Sequence, residues 1–322
     1  MRRKSASMVS EDKAGSILVE YLASRFTYLG LEDWRRRIAE GQISVNGERM
    51  PAEGLLCAGD RVAFDPPAID EPDVDSSIDI VMEDDDFLVV DKKGSLPCHP
   101  GGRFFEHSLW FLLRERYGAA HIATRLDRET SGLVLVCKSA EAARFAQTSQ
   151  MSGSLKKCYL AMVHGRFPER IETRGYLTQD EGSAIRKKRM YIDCPFPPEG
   201  PGSEFCETIF EGLGAVNTEF GVISLVRALP STGRTHQIRA TLYSLGFPLV
   251  GDKLYGLDET FFLRFAAGSL NEEDRKALIL ENQALHCSEL LFPTLSGLAA
   301  RVSSEPRWGC PYTSFPVGHR RP

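Results

Sequence analysis

Residues 125–136 read Arg-Leu-Asp-Arg-Glu-Thr-Ser-Gly-Leu-Val-Leu-Val, a short polar segment that leads into a strongly apolar strand. The carboxylate of Asp127 lies between Arg125 and Arg128, which favour its ionised form and offer donors to a polyanion. Gly132 allows a turn that a side chain would obstruct. An aspartate held ionised beside an apolar strand is suited to act as a nucleophile or electrostatic stabiliser. These residues alone fit a structural ion pair equally well.

The segment resembles the signature of the RluA-type pseudouridine synthases, which isomerise uridine within RNA. That family usually reads His-Arg-Leu-Asp-Arg-x-Thr-Ser-Gly, and every fixed position matches here except the first, where Thr124 replaces histidine. Two further blocks match in the family's order: residues 157–165, which resemble its Lys-x-Tyr strand, and residues 233–239 with their continuation over 245–256. Three ordered blocks are far more specific than one short motif.

Composition and charge restrict the class of protein. A chain of 322 residues is long enough for two domains with proper cores. No segment is apolar enough to span a membrane, and the basic first residues lack the apolar core of a secretory signal. The eight cysteines form no C-x-x-C pair, which argues against a zinc site and a disulfide framework. We therefore expect a cytoplasmic protein without a metal site.

The net charge of −5 argues mildly against an RNA partner, because phosphate contacts need lysine and arginine. Much of the acid, however, lies within residues 70–86, whereas basic clusters occupy residues 35–37, 156–157 and 186–189. A charge cluster is usually only a solvated face. We interpret these clusters as RNA contacts because they accompany the matching motifs.

The chain divides into four predicted parts: a disordered tail over 1–15, a small module over 16–67, a linker over 68–77 and a catalytic domain over 78–322. The module combines two helical patterns with short strands and an Asn-Gly turn. It resembles the alpha-L RNA-binding motif, which is shared with a small-subunit ribosomal protein and often precedes this type of synthase. On its second helix, Arg35, Arg36 and Arg37 would contact phosphates. The alternative is a fold-supporting appendage with little affinity for RNA.

The catalytic domain is predicted to be α+β, with a largely antiparallel, mixed sheet flanked by helices. Helices are expected over 108–117 and within the charged insertion 257–283, and a surface loop is expected over 194–202. Lys93 stands where the family usually has proline. This departure predicts a looser loop, because proline would fix the backbone dihedral.

Converting uridine to pseudouridine breaks the bond from the sugar to the base nitrogen and joins the sugar to carbon 5. No atom is oxidised or lost, so we expect no redox cofactor, ATP or metal. An aspartate can bond covalently to the anomeric carbon or stabilise the charge beside it, and the sequence leaves both paths open.

The resemblance implies the roles of the remaining residues. Asp127 would act on the sugar, Arg239 would pair with it, and Tyr159 would stack on the extruded uracil. Taken alone, Tyr159 reads as a core aromatic residue. The implied substrate contacts, which range from base stacking to phosphate binding, are Arg125, Arg128, Lys157, His236, Leu285, Arg35, Arg36 and Arg37. His236 is more simply a hydrogen-bonded orienting residue and Leu285 a core leucine.

Three classes of function fit the sequence. The leading prediction is an RNA pseudouridine synthase, monomeric and acting on ribosomal RNA, with transfer RNA as the second choice. The second is a catalytically silent RNA-binding protein of the same fold. The third is a nucleoside or glycoside hydrolase built on Asp127 and Glu129, although residues two apart in an extended segment point to opposite faces.

Overall fold

The computed structural model describes residues 5–26, 29–65, 71–199 and 202–316. The chain forms two compact units, Met1–Pro72 and Asp73–Pro322. Residues 66–70, on which the predicted end of the module and start of the linker fall, lie outside the described residues. No helix in the described ranges is long and apolar enough to cross a membrane.

The first unit packs two helices against a small antiparallel sheet of order β1-β3-β2. Its elements are β1 (Ser5–Met8), a 3-10 helix (Glu11–Lys13), α1 (Leu18–Arg25), α2 (Leu31–Ala39), β2 (Ile43–Val45) and β3 (Arg61–Phe64). Apolar positions one helical turn apart bury Leu18 and Leu22 against Trp34, which gives the unit its own core. The predicted Asn46-Gly47 turn is present, since both residues have positive φ and Val45 and Glu48 pair across them.

The predicted disordered tail over residues 1–15 is wrong for the described part of that range. Ser5–Met8 forms β1, which pairs antiparallel with β3 from Ser5↔Phe64 to Met8↔Arg61. The polar sequence gives no strand pattern, but the backbone hydrogen bonds of a ladder do not depend on side chains. Val9, 3% exposed, then anchors the segment in the core.

The second unit is built on an 11-stranded sheet with the central order β10-β9-β11-β12-β8-β13-β7-β5-β4; β14 also pairs with β13, and β6 with β7. The strands are β4 (Asp79–Glu83), β5 (Phe87–Lys92), β6 (His121–Ile122), β7 (Ser131–Cys137), β8 (Lys156–His164), β9 (Arg170–Gln179), β10 (Arg189–Ile192), β11 (Glu204–Thr218), β12 (Gly221–Pro230), β13 (Leu285–Pro293) and β14 (Ala299–Ser303). The helices are α3 (Leu109–Tyr117), α4 (Ala140–Met151), α5 (Gln237–Ser244), α6 (Thr260–Ala266) and α7 (Glu272–Leu278), with a 3-10 helix at Tyr312–Ser314.

This architecture agrees with the predicted α+β class. Among the described strands the pairing is antiparallel except between β13 and β7, so the sheet is mixed and largely antiparallel. Leu133–Val136 in the centre of β7 are at most 1% exposed and belong to the main core, so both faces of this strand are buried. The expected helices over 108–117 and within 257–283 are present as α3, α6 and α7.

The parallel contact between β13 and β7 explains Gly132. This glycine has a φ of 108° and lies opposite Cys287. A Cβ atom there would overlap the backbone carbonyl oxygen of Cys287, so the close approach of the two strands requires glycine. The requirement fixes β13 beside the polar segment that precedes β7.

The absence of proline at position 93 predicted a loose loop, and this prediction is wrong. The ammonium group of Lys93 donates to Asp75 Oδ2 at 2.9 Å and also to the Ser77 hydroxyl. The hydrogen bonds from Ser77 and Lys93 lower the pKa of Asp75 to about 2. A side-chain tether to residues 75–77 thus replaces the backbone restriction that proline would supply.

Candidate active site

A cleft of about 340 Å³ opens in the second unit, beside the polar segment before β7. Its walls come from that segment, from β8, from the loop before α5 and from β13. Seven of the residues singled out from the sequence line it, namely Arg125, Asp127, Lys157, Tyr159, His236, Arg239 and Leu285. Segments more than 150 residues apart in the chain therefore supply one concave site.

At the centre of the cleft, Arg239 bridges two carboxylates. Its Nη1 donates to Asp127 Oδ2 at 2.7 Å, as the pairing implied by the motifs predicts. Its Nε and Nη2 donate to the two oxygens of Asp252 at 2.7 and 2.9 Å. Asp252 is fully buried and also accepts from the backbone N–H groups of Leu254 and Tyr255. One side of the guanidinium is thus fixed, and the other is presented to Asp127.

Asp127 is held as a carboxylate. Burial opposes its ionisation, but the charge and hydrogen bond of Arg239 hold its pKa below the ordinary value. Its side chain keeps 26% of its surface exposed, toward the cleft. An ionised carboxylate that is both anchored and accessible can bond to, or stabilise, an electron-deficient carbon.

The loop before α5 places Arg239 by means of a buried glutamine. Gln237 Oε1 accepts from the backbone N–H of Arg234 at 2.9 Å and from the Thr232 hydroxyl at 2.8 Å. Its Nε2 donates to the carbonyl of Glu207 and to the Thr208 hydroxyl on β11. These four bonds tie the start of the helix to the sheet, so Arg239, on the first turn, cannot shift alone.

An aromatic and an aliphatic side chain complete the apolar part of the cleft. Tyr159 lies on β8, is 7% exposed and pairs with Cys287 across the sheet. Burial raises its pKa well above the ordinary value, so the phenol stays neutral. Leu285, 4% exposed at the start of β13, lines the same cleft. Apolar surface beside a carboxylate suits a planar base next to a sugar.

The basic residues divide into those at the cleft and those elsewhere. Arg125 is exposed at the cleft, with Nη2 3.4 Å from the Thr235 hydroxyl. Lys157 also lines the cleft, and burial lowers its pKa. Arg128 does not line it; its guanidinium lies 5.3 and 5.0 Å from the ring centroids of Phe104 and Phe265. The geometry gives Arg128 a packing role, and its contact with a substrate stays a prediction.

The arginine triplet lies on α2 in the first unit. Arg35 Nη1 donates to Glu53 at 2.7 Å, and Arg36 pairs with Asp33. Arg37 donates to Gln42 and lies over the ring of Phe64 at 5.6 Å. Arg35 and Arg36 are exposed, and exposed ion pairs contribute little stability, so these two can exchange their partners for phosphates.

Glu129, the second carboxylate of the hydrolase hypothesis, does not line the cleft with Asp127. Its Oε2 accepts from Lys253 Nζ at 2.7 Å, and its Oε1 from Arg128. Lys253 is 5% exposed and also donates to the carbonyl of Glu281. Glu129 is therefore a structural ion-pair partner, and the two carboxylates are not placed across one bond.

Thr124 stands where the family has histidine, and its side chain makes a structural hydrogen bond. Its hydroxyl accepts from the backbone N–H of Leu135 at 2.8 Å, and the side chain is 3% exposed. The hydroxyl therefore supplies a hydrogen bond at this position without a titratable group.

Sequence reasoning missed three functional or supporting residues. Asp252 and Gln237 lie within the matching blocks, so the motifs contained the signal, but their partners are visible only in the fold. Lys92 is 1% exposed and donates to the carbonyls of Lys93 and Arg128. Burial lowers the pKa of Lys92 to about 8. Nothing in its sequence neighbourhood marks it as buried.

Comparison with known proteins shows which proteins this chain is similar to. Residues 86–244 match the family described as RNA pseudouridylate synthase. The chain is 32% identical over 234 residues to an uncharacterized RNA pseudouridine synthase of Helicobacter pylori, covering 72% of this chain and 74% of that protein. It is 29% identical over 264 residues to the ribosomal large subunit pseudouridine synthase C of Vibrio parahaemolyticus, covering 77% and 79%.

Other relatives are longer. The mitochondrial tRNA pseudouridine(32) synthase of Saccharomyces cerevisiae is 28% identical over 245 residues, which are 76% of this chain and 51% of that protein. The chain thus spans about half the length of the first curated relatives it matches. A solved structure of human RNA pseudouridylate synthase domain containing 1 shares the fold, with a TM-score of 0.58, 24% identity, and coverage of 73% of this chain and 86% of that one. By its sequence and its fold, this chain belongs to the RNA pseudouridylate synthase family.

Proposed function

We propose that this protein isomerises specific uridines in RNA to pseudouridine, with Asp127 acting on the sugar of an extruded uridine. The observation that carries the proposal is the ionised, accessible carboxylate of Asp127, held by Arg239 at 2.7 Å in a cleft that Tyr159 also lines. The reaction breaks the C1′–N1 bond and forms a C1′–C5 bond. N1 gains a proton and C5 loses one, so no atom is oxidised.

Each part of the cleft suits one part of this substrate. Asp127 would bond to C1′ or stabilise its positive character, and the geometry is compatible with both paths. Tyr159 and Leu285 would contact the faces of the uracil, because an extruded base needs apolar surfaces to replace its stacking. Arg125, exposed at the rim, would fill the gap in the RNA stack with its guanidinium plane.

The protonation states of Tyr159 and Arg239 fit an isomerase. The phenol of Tyr159 stays neutral, since burial raises its pKa. It can therefore pass a proton without ionising beforehand. Arg239 stays charged, because its two carboxylates raise its pKa against the cost of burial.

We further infer that ribosomal RNA is the substrate class and transfer RNA the alternative. The Vibrio relative is named for the large ribosomal subunit, and the matched region covers similar fractions of this chain and of that relative. The yeast relative that is named for tRNA is about twice as long as the region that matches this chain. The two helices of the first unit and its strands β2 and β3 lie within residues 16–67 and are compatible with an alpha-L RNA-binding module, whereas β1 lies before those bounds. Its exposed Arg35 and Arg36 would contact the phosphate backbone.

We also propose a cytoplasmic location. All eight cysteines lie within the described residues as free thiols, and three of them, Cys137, Cys206 and Cys287, are at most 2% exposed. Unpaired thiols in a core fit a reducing compartment.

Pseudouridine mapping of total cellular RNA, by carbodiimide modification and primer extension, tests the function. Cells with the wild-type protein are compared with cells carrying Asp127→Asn. A site lost in the mutant identifies enzyme, nucleophile and substrate together, and its position separates ribosomal from transfer RNA. Identical maps, together with RNA binding by the purified wild-type protein, would point instead to a catalytically silent RNA-binding protein.

A further inference from the structure

A short chain of hydrogen bonds links the backbone of β10 to the side chain of His236. The Tyr255 hydroxyl is fully buried and has two hydrogen-bond partners in the described part of the chain. They are the backbone nitrogen of Arg189, at 2.8 Å, and Nδ1 of His236, at 2.9 Å. The rings of Tyr255 and His236 pack edge to face with centroids 5.4 Å apart.

The direction of each bond in this chain follows from its first donor. A backbone N–H can only donate, so the Tyr255 oxygen accepts from Arg189. The hydroxyl hydrogen then needs an acceptor, and Nδ1 of His236 is the one within reach among the described residues. A neutral imidazole that accepts at Nδ1 carries its hydrogen on Nε2.

The surroundings keep His236 neutral. Burial and the nearby charge of Arg239 lower its pKa to about 4, although Asp127 and Asp252 act in the opposite direction. The positive charge of Lys187, on the loop before β10, also lowers the pKa of His236. At neutral pH the ring therefore has one hydrogen, and Tyr255 determines which nitrogen bears it.

Among the described residues, that hydrogen has no acceptor within hydrogen-bond distance. Nε2 of His236 lies 4.0 Å from Asp127 Oδ2, which is too far for a hydrogen bond. His236 lines the cleft and precedes α5 with a φ of 60°, a conformation that is uncommon outside glycine and asparagine. The strained backbone thus holds an unfilled donor next to the carboxylate of Asp127.

We propose that His236 donates a hydrogen bond from Nε2 to an oxygen of the target uridine, either the ribose 2′-oxygen or uracil O2, and that Tyr255 is the positioning residue that fixes this tautomer. The proposal rests on the proposed function, because it assumes a uridine whose C1′ is next to Asp127. The 2′-oxygen is two bonds from C1′ and uracil O2 is three, so both come within reach of a donor 4.0 Å from Asp127.

In this role His236 is a donor that selects the bound nucleotide and is not a general base. A general base would have to accept a proton at Nε2, which this tautomer already protonates. The same donor would favour ribose over deoxyribose if its acceptor is the 2′-hydroxyl.

The tautomer can be measured without RNA. Nitrogen-15 chemical shifts of labelled histidines, assigned by comparison with His236→Asn, distinguish a protonated from an unprotonated ring nitrogen. We expect His236 to be neutral at pH 7, with hydrogen on Nε2 and none on Nδ1, and to lose this fixed state in Tyr255→Phe. A ring protonated on Nδ1 would overturn the inference, whatever reaction the protein catalyses.

The donor role is tested by two replacements that keep different nitrogens. The amide of Asn reaches the position of Nδ1, and Asn tolerates the positive φ; the amide of Gln reaches the position of Nε2. Turnover is measured as tritium released from [5-³H]uridine RNA, because joining the sugar to C5 expels the hydrogen there. We expect kcat/KM to fall roughly 10- to 100-fold in His236→Asn and less in His236→Gln.

Two modified RNAs identify the acceptor, one with 2′-deoxyuridine and one with 2-thiouridine at the target position. The modification that removes the accepting oxygen should abolish the difference between wild type and His236→Asn. A difference that persists undiminished with both RNAs would overturn the proposal, as would full activity of His236→Asn. A wild-type protein that releases no tritium from any RNA would instead contradict the proposed function.

Discussion

Asp252 holds Arg239 in a two-point ion pair, with both oxygens of the carboxylate engaged at 2.7 and 2.9 Å. The pair fixes the plane of the guanidinium before any substrate binds, because two parallel hydrogen bonds allow no rotation. The remaining nitrogen, Nη1, is thereby directed at Asp127. Preorganised charge of this kind needs no rearrangement when a transition state forms. The arrangement makes Arg239 the link between the buried core and the carboxylate exposed in the cleft.

Asp127→Asn should abolish isomerisation while leaving RNA affinity nearly unchanged. The amide is similar in size but cannot bond to C1′ as a carboxylate does, so we expect turnover to fall by at least about 1,000-fold. Tritium release and filter binding with the same RNA measure the two properties. Asp85→Asn makes the same chemical change at an exposed position and should behave as wild type. Retained turnover in Asp127→Asn would refute the assignment of the nucleophile.

Arg239→Ala should lose both activity and stability. Asp252 is fully buried, and removing its partner leaves an uncompensated charge that costs roughly 3–5 kcal/mol of unfolding free energy. Urea denaturation followed by circular dichroism measures this loss. Arg239→Lys keeps the charge but cannot bind two carboxylates with three donors in one plane, so we expect an intermediate loss of stability and little activity. An Arg239→Ala protein of wild-type activity would disprove the pairing.

Lys92 should make the folded state more stable as pH rises through the alkaline range. Burial lowers its pKa to about 8 in the folded protein, from 10.5. Between pH 8 and pH 10.5 the unfolded chain binds more protons at Lys92 than the folded protein does, so the free energy of unfolding increases with pH. Below about pH 8 the contribution of Lys92 to the free energy of unfolding is at its lowest. The full gain is on the order of 3 kcal/mol.

The difference in unfolding free energy between wild type and Lys92→Met reports this effect, because titrating groups that do not interact with Lys92 contribute equally to both. Methionine has a similar length and cannot titrate, whereas the lost bonds to the carbonyls of Lys93 and Arg128 cost the same at every pH. We expect the advantage of the wild type to grow from pH 7.5 to 10.5. A constant difference over this range would show that Lys92 titrates normally.

The sequence predicted the residues of the cleft better than the interactions that hold them. Asp127, Tyr159 and Arg239 are separated by dozens of residues, yet the three motifs were sufficient to place them together. Asp252 was contained in a matching block without any sign of its role, because its pairing with Arg239 depends on how the loop after α5 folds back. The motifs implied that Arg239 pairs with Asp127, but they did not imply that Asp252 fixes Arg239.

Two contacts between distant segments were equally invisible in the sequence. β1 forms on a polar segment because β3 offers it a hydrogen-bonding edge, and no apolar alternation announces it. Lys93 was expected to loosen its loop, but the tether to Asp75 depends on a distant segment that folds beside it. Both errors have the same cause: local propensity was outweighed by a partner elsewhere in the chain.

Removing the first unit, residues 1–72, should weaken RNA binding in a salt-dependent manner while leaving the second unit folded. The chain divides into two compact units, and the second has its own core. Each lost phosphate contact reduces the slope of log K against log salt by about 0.7–0.9. Affinity measured by fluorescence anisotropy at several salt concentrations gives this slope, and circular dichroism reports the fold.

A double variant tests the arginines without deleting the unit. Arg35→Gln with Arg36→Gln removes two exposed charges whose ion pairs contribute little stability, so the slope should fall by about 1.4–1.8. Arg301→Gln, at a similarly exposed position on β14, provides the control. An unchanged affinity and slope in both the deletion and the double variant would make the first unit a passive appendage. RNA recognition would then depend on the charges around the cleft alone, among them Arg125 and Lys157.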